Sequence, residues 1–165
     1  MGQIEDKIMG VFYENPNKKF SVRQIVKLTN IPRSTAHKYL VELKKFGLVT
    51  KENISSENLF FKVKKINYYT ERIVNSGLIN ELIKNFNPSC IILFGSIRKG
   101  DSTKESDIDI FVESNIKKDI NLKLYEKKLK HKIQLFVENN INNLQPNLFN
   151  NVANGIKIYG SFKIK

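Results

Sequence analysis

A glycine–serine pair and two carboxylates carry the chemistry of this chain. The stretch from Leu93 to Val112 reads LFGSIRKGDSTKESDIDIFV. The apolar run Ile91-Ile92-Leu93-Phe94 closes on Gly95-Ser96, and after a polar loop a second apolar run contains Asp107-Ile108-Asp109. A strand that ends in a tight Gly95-Ser96 turn offers backbone N–H groups and a hydroxyl to phosphate oxygens. In an extended strand, residues two apart share a face. Asp107 and Asp109 therefore fall on one side, and Ile108, Ile110 and Val112 on the other. Two carboxylates on one face beside a phosphate cradle are the layout of a divalent-metal site for phosphoryl transfer. The competing reading is a polar loop and an edge strand with two solvated acids. The Gly-Ser pair at this spacing weighs against it.

At these residues the chain resembles the polymerase-beta-like nucleotidyltransferases, and within them the small minimal nucleotidyltransferase branch. The pattern of that branch is GS, two residues, a basic residue, Gly, then small or polar residues before SDxD. Gly95, Ser96, Lys99, Gly100, Ser106, Asp107 and Asp109 all fall in register with it. The resemblance runs from about Asn67 to Ile164, and Asn154-Gly155-Ile156-Lys157-Ile158-Tyr159-Gly160 is similar to the family's closing turn and strand.

The resemblance implies a nucleoside triphosphate held on Gly95 and Ser96, with Arg98 or Lys99 as counter-charge. It implies Mg²⁺ (or Mn²⁺) on Asp107 and Asp109, and transfer of a nucleotidyl group to an acceptor hydroxyl. It also implies, as partner and acceptor, a protein of the HEPN toxin kind, which would make the chain antitoxin-like.

One position departs from the family. Its third carboxylate sits between two apolar residues on a neighbouring strand; the candidate strand here, Lys132 to Val137, carries Ile133-Gln134-Leu135. A neutral amide oxygen can touch a metal but cannot accept a hydroxyl's proton as a carboxylate does. Glu138 shares the face of Gln134 but lies about 13 Å further along a strand. Two readings follow. In one, the chain is a Mg²⁺-dependent transferase. In the other, the fold is catalytically degenerate and acts as a nucleotide sensor or dimerisation module of a DNA-binding regulator.

Upstream of these residues the chain has a second architecture. Ile4, Ile8, Val11 and Phe12 make a helical stripe that ends at Asn15-Pro16-Asn17. Ser21-Val22-Arg23-Gln24 is a capping-box opening for a second helix, with Val22, Ile25 and Val26 inward. After a turn at Thr29-Asn30-Ile31, Pro32 suits the first position of a third helix that runs to Phe46 and stops at Gly47. Ala36, Leu40 and Leu43 are its buried stripe. Leu48-Val49-Thr50 and Leu59-Phe60-Phe61-Lys62-Val63 read as the two strands of a hairpin.

Three helices and a hairpin resemble the winged helix-turn-helix of bacterial and archaeal regulators. Arg33, Ser34, Thr35, His37 and Lys38 would face double-stranded DNA from the third helix. Lys51, Lys62 and Lys64 would place charge on the wing. The analogy with other winged-helix regulators also implies a homodimer.

Downstream, Ile66 to Phe86 and Lys117 to Lys130 read as helices, and Asn139 to Asn151 as loop then helix. The expected fold class is therefore α+β. It comprises an N-terminal winged helix-turn-helix over residues 1–65 and a C-terminal small α/β nucleotidyltransferase fold with a mixed sheet over residues 66–165.

Composition supports an anionic partner. The formal net charge is +12, and residues 1–69 hold 13 Lys or Arg against 6 acids, compared with 15 against 10 over residues 70–165. The single cysteine, Cys90, excludes an internal disulfide and reads as a small buried apolar residue. His37 and His131 have no Cys or His at ligand spacing, which argues against zinc. No apolar stretch approaches a membrane span and the N-terminus lacks a signal-peptide layout, so a cytoplasmic location with no membrane partner is expected.

Overall fold

The computed structural model describes Gly2 to Ile164 and resolves into two compact units. The first ends at Lys65 and also takes in Ser102–Lys104; the second takes Ile66–Asp101 and continues from Glu105.

In the first unit, α1 (Gln3–Glu14), α2 (Val22–Thr29) and α3 (Arg33–Lys45) enclose a core. Ile8, Met9, Phe12, Tyr13, Phe20, Ile25, Leu40, Leu43 and Leu48 are all buried there. Phe12 meets Phe20 edge-on at 5.5 Å between ring centroids, the favoured geometry of a buried aromatic pair. The Ser21–Gln24 capping box is formed in both directions and starts α2. Asn30 takes the left-handed conformation at the end of α2, and Gly47 does so just beyond α3. Pro32 sits at the N-cap of α3, one residue ahead of the first helical position.

The wing differs from expectation. Among the described residues its strand pairing is an isolated antiparallel bridge between Val49 and Ser55. Leu59 to Val63 does not form a second strand but opens α4 (Leu59–Asn75). The physical reason is local. Asn58 accepts from Phe61 N through its side chain at 2.8 Å and from Lys62 N through its carbonyl, an N-cap in function. Phe61, Lys65, Tyr69 and Ile73 are then buried at a helical spacing of four. Lys62 and Lys64 consequently ride on a helix, not on a wing strand.

In the second unit, α5 (Leu78–Phe86) leads into β1 (Cys90–Phe94), α6 (Gly95–Lys99), β2 (Ile108–Glu113), α7 (Lys123–Leu129), β3 (Ile133–Glu138), α8 (Pro146–Ala153) and β4 (Ile156–Gly160). The helix expected over Ile66 to Phe86 is divided at Gly77, whose φ of +88° breaks the helical path. The one expected over Lys117 to Lys130 is confined to α7. The sheet order is β3-β2-β1-β4, with β1 antiparallel to both neighbours and β2 parallel to β3.

Every residue of β1 is buried, which explains why it reads as an unbroken apolar run and not as an alternating one. On one face of the sheet Cys90, Ile92, Phe94 and Phe111 pack against Ile141 and Val152. Phe136, Leu148 and Phe149 close the edge of that cluster. The same face carries the acids.

Candidate functional site

Strand β1 delivers Gly95, and β2 delivers the acids opposite it. Phe94 pairs with Asp109 across β1 and β2, and Asp109 pairs with Gln134 across β2 and β3. Directly paired residues project to the same side of a sheet. Phe94, Asp109 and Gln134 therefore form one row. Asp107, two residues before Asp109 on the same side, receives a hydrogen bond from Gln134 Nε2 at 2.6 Å.

Gly95 is required by this arrangement twice over. Its φ is +73°, and a Cβ added there would lie 1.9 Å from Asp109 Oδ2 and 2.9 Å from its Cγ. The Asp109 carboxylate thus fills the space beside the glycine backbone. The turn itself is tighter than a loop: Gly95 begins α6, a single helical turn closed by Gly100 in the left-handed conformation. Asp101 N donates to Ser96 O at 3.0 Å and locks the return of the chain. Ser96 and Arg98 are half-buried on this turn, and Lys99 is exposed.

The electrostatics are those of two crowded acids. Burial first, and the neighbouring Asp107 second, push the Asp109 carboxyl above its ordinary range. No third acid joins them. Glu113 is buried further along β2, where it accepts from Ser89 Oγ at 2.6 Å and from Ile141 N at 2.8 Å. Glu138 pairs with Lys117 at 3.4 Å. Among the described residues there is no cluster of three or more His, Cys, Asp or Glu side chains.

The first unit presents a basic surface. On α3, Arg33, Ser34, His37 and Lys38 are exposed and Thr35 is half-buried. Arg33 joins Arg23 and Val26 of α2 in lining an open cleft of about 490 Å³. Lys62 lies on α4, a different helix.

Residues 77–163, just over half of the chain, match the family model described as polymerase beta, nucleotidyltransferase. The chain belongs to the polymerase beta nucleotidyltransferase family. Residues 7–53 match the IclR helix-turn-helix domain, so this nucleotidyltransferase also carries a helix-turn-helix domain. Comparison of the whole chain with curated proteins and with solved structures gives no significant match. Among the described residues no helix is long and apolar enough to cross a membrane.

The nucleotidyltransferase unit thus brings Gly95, Asp107, Asp109 and Gln134 together on one sheet face. Two residues near the candidate sites escaped the sequence reading. Arg23 belongs to the capping-box run of α2, and only folding places it beside Arg33. His131 lies next to Ser106, but its partner there is a backbone carbonyl, which leaves no spacing signature.

Proposed function

We propose that this chain is a DNA-binding nucleotidyltransferase that moves a nucleotidyl group from a nucleoside triphosphate to an acceptor hydroxyl. The observation that carries the reading is the seating of Asp109 against the Gly95 backbone, with Asp107 on the same face. Nothing but glycine fits that approach, so the turn and the acids are built for each other. In this reading the backbone of Gly95 and the hydroxyl of Ser96 orient the triphosphate, and Arg98 and Lys99 offset its charge. The acceptor oxygen attacks the α-phosphorus, the bond to the bridging oxygen of the β-phosphate breaks, and pyrophosphate leaves.

The donor set suits Mg²⁺ or Mn²⁺: hard carboxylate oxygens, crowded enough that Asp109 resists ionisation when no cation offsets Asp107. Asp107 and Asp109 would hold the ion, which neutralises charge at the reacting phosphate. Gln134 offers the acceptor's proton no carboxylate; it passes to solvent instead, and turnover is slow. The second unit is one four-stranded sheet with its helices, which favours a hydroxyl on a partner protein, as the antitoxin-like reading requires.

A second reading rests on one contact. Gln134 donates to Asp107 and ties up one of its oxygens, as a regulator that binds a nucleotide without turning it over would tolerate. In both readings α3 faces double-stranded DNA through Arg33, Ser34, His37 and Lys38. Thr35 stands at their edge and Arg23 adds charge.

Incubation with labelled triphosphates, Mg²⁺ and the protein encoded beside this one separates the two. Transferred label, lost in Asp109→Asn, supports the enzyme. Metal-nucleotide binding with no product supports the sensor.

A further inference from the structure

We infer that His131 is a positioning residue that sets the backbone of Asp107, a role that rests on the nucleotidyl-transfer reading of the two acids. Three contacts from one short segment converge on Asp107. His131 Nδ1 lies 2.6 Å from Ser106 O, the carbonyl of the peptide that enters Asp107. A carbonyl only accepts, so Nδ1 carries the proton and donates. Ile108 N, in the peptide that leaves Asp107, donates to Lys132 O at 2.8 Å. Gln134 Nε2 then takes the side chain itself at 2.6 Å.

The two peptide planes on either side of the Asp107 Cα are therefore both held, which fixes its φ and ψ together. The carboxylate is aimed from the backbone outward. Gln134 could steady the side chain alone, but only while the Cα is already placed.

His131 is held in place for this task. It is 5% exposed, and its ring meets Tyr69 edge-on at 5.4 Å, so its orientation is set by packing. It follows the left-handed Lys130 at the end of α7, where the chain turns into β3. The contact is a first one behind the acids. Such supports orient the groups that do the chemistry, and their loss typically costs 10- to 100-fold in metal affinity.

The test compares two amides that differ by one methylene. In His131→Asn the amide nitrogen stands where Nδ1 stood and can still donate to Ser106 O. In His131→Gln it is displaced towards the Nε2 position and cannot. Amide hydrogen exchange at Ile108, whose N–H donates to Lys132 O, reads the backbone directly. It should stay near wild type in His131→Asn and rise about tenfold or more in His131→Gln, while exchange in β1 is unchanged. Mn²⁺ titration followed by paramagnetic resonance should show the same order, with His131→Gln weakened by about 10- to 100-fold.

Equal exchange at Ile108 in the two variants would overturn the assignment, as would Mn²⁺ affinity in His131→Gln equal to wild type. Failure of the underlying reading looks different. Wild type would then bind Mn²⁺ no better than Asp109→Asn, while the exchange measurement would still decide whether His131 holds Asp107.

Discussion

At the scale of single residues, the site is governed by the cost of packing two acids beside a glycine. Asp109 has a carboxyl pushed upward by burial and by Asp107, so its ionised form is disfavoured in the fold relative to the unfolded chain. Stability from this group is then full at acid pH, below the unfolded value, and is lost as pH rises through the folded value. Asp109→Asn should therefore raise the melting temperature of the metal-free protein at pH 7, and the gain should shrink on acidification. A melting curve unchanged at pH 7 would contradict the crowding.

The same crowding sets the expectation for Gln134. Its neutral amide offers a hydrogen bond where a third carboxylate would add charge. Gln134→Asp should speed transfer by about 10²- to 10⁴-fold, the usual range of positioned acid–base catalysis, provided an acceptor is present. It should also lower metal-free stability and make melting newly dependent on Mg²⁺. A variant with no new Mg²⁺ dependence would place residue 134 outside the metal's reach.

At the scale of elements, much of the chain was legible and the failures share a physical cause. Strands β1 and β2 announced themselves because buried strands must be continuously apolar or strictly alternating, and the acids of β2 alternate with isoleucines. The face of Gln134 followed from alternation and its neighbouring strand from chain order, while the full order of the sheet came only with the fold. The wing was misread because Leu59-Phe60-Phe61-Lys62-Val63 has the composition of a strand, while the helical stripe that overrides it passes through Lys65. A buried lysine breaks an apolar pattern on paper, although in the fold it donates to Ser102 O. The candidate site was half-legible. Side chains with spacing, such as Gly95, Asp107 and Asp109, could be seen. A histidine that serves a backbone carbonyl could not.

Helix α3 carries the prediction that belongs at this scale. If its exposed face meets the DNA backbone, Arg33→Ala and Lys38→Ala should each reduce the slope of log affinity against log salt by roughly one. Identical slopes in the wild type and both variants would mean that α3 faces something other than DNA. Replacing Lys62, which α4 removes from the wing, should leave the slope near wild type.

At the scale of the whole molecule, a net charge of +12 favours encounter with polyanions generally, so affinity alone cannot identify the partner. In the proposed function, specificity comes from the two units separately: a DNA sequence read by one, and an acceptor recognised by the other.

The lone cysteine gives a way to follow the second unit as it opens. Cys90 begins the central strand with no exposed surface, and burial pushes its thiol up to about 11. A protonated, covered thiol is inert, so a thiol reagent at pH 8 can modify it only in molecules whose sheet has transiently opened. The labelling rate becomes a clock for the opening of β1, with no engineered probe. Anything that binds the closed form alone must slow that clock by mass action. Nucleotide with Mg²⁺ should therefore slow Cys90 labelling in the wild type and have little effect in Asp109→Asn. Native-state labelling as fast as that of the unfolded chain would mean that β1 is not held shut. One atom of sulfur, silent in the chemistry, thus reports ligand occupancy at the acids through the lifetime of the closed sheet.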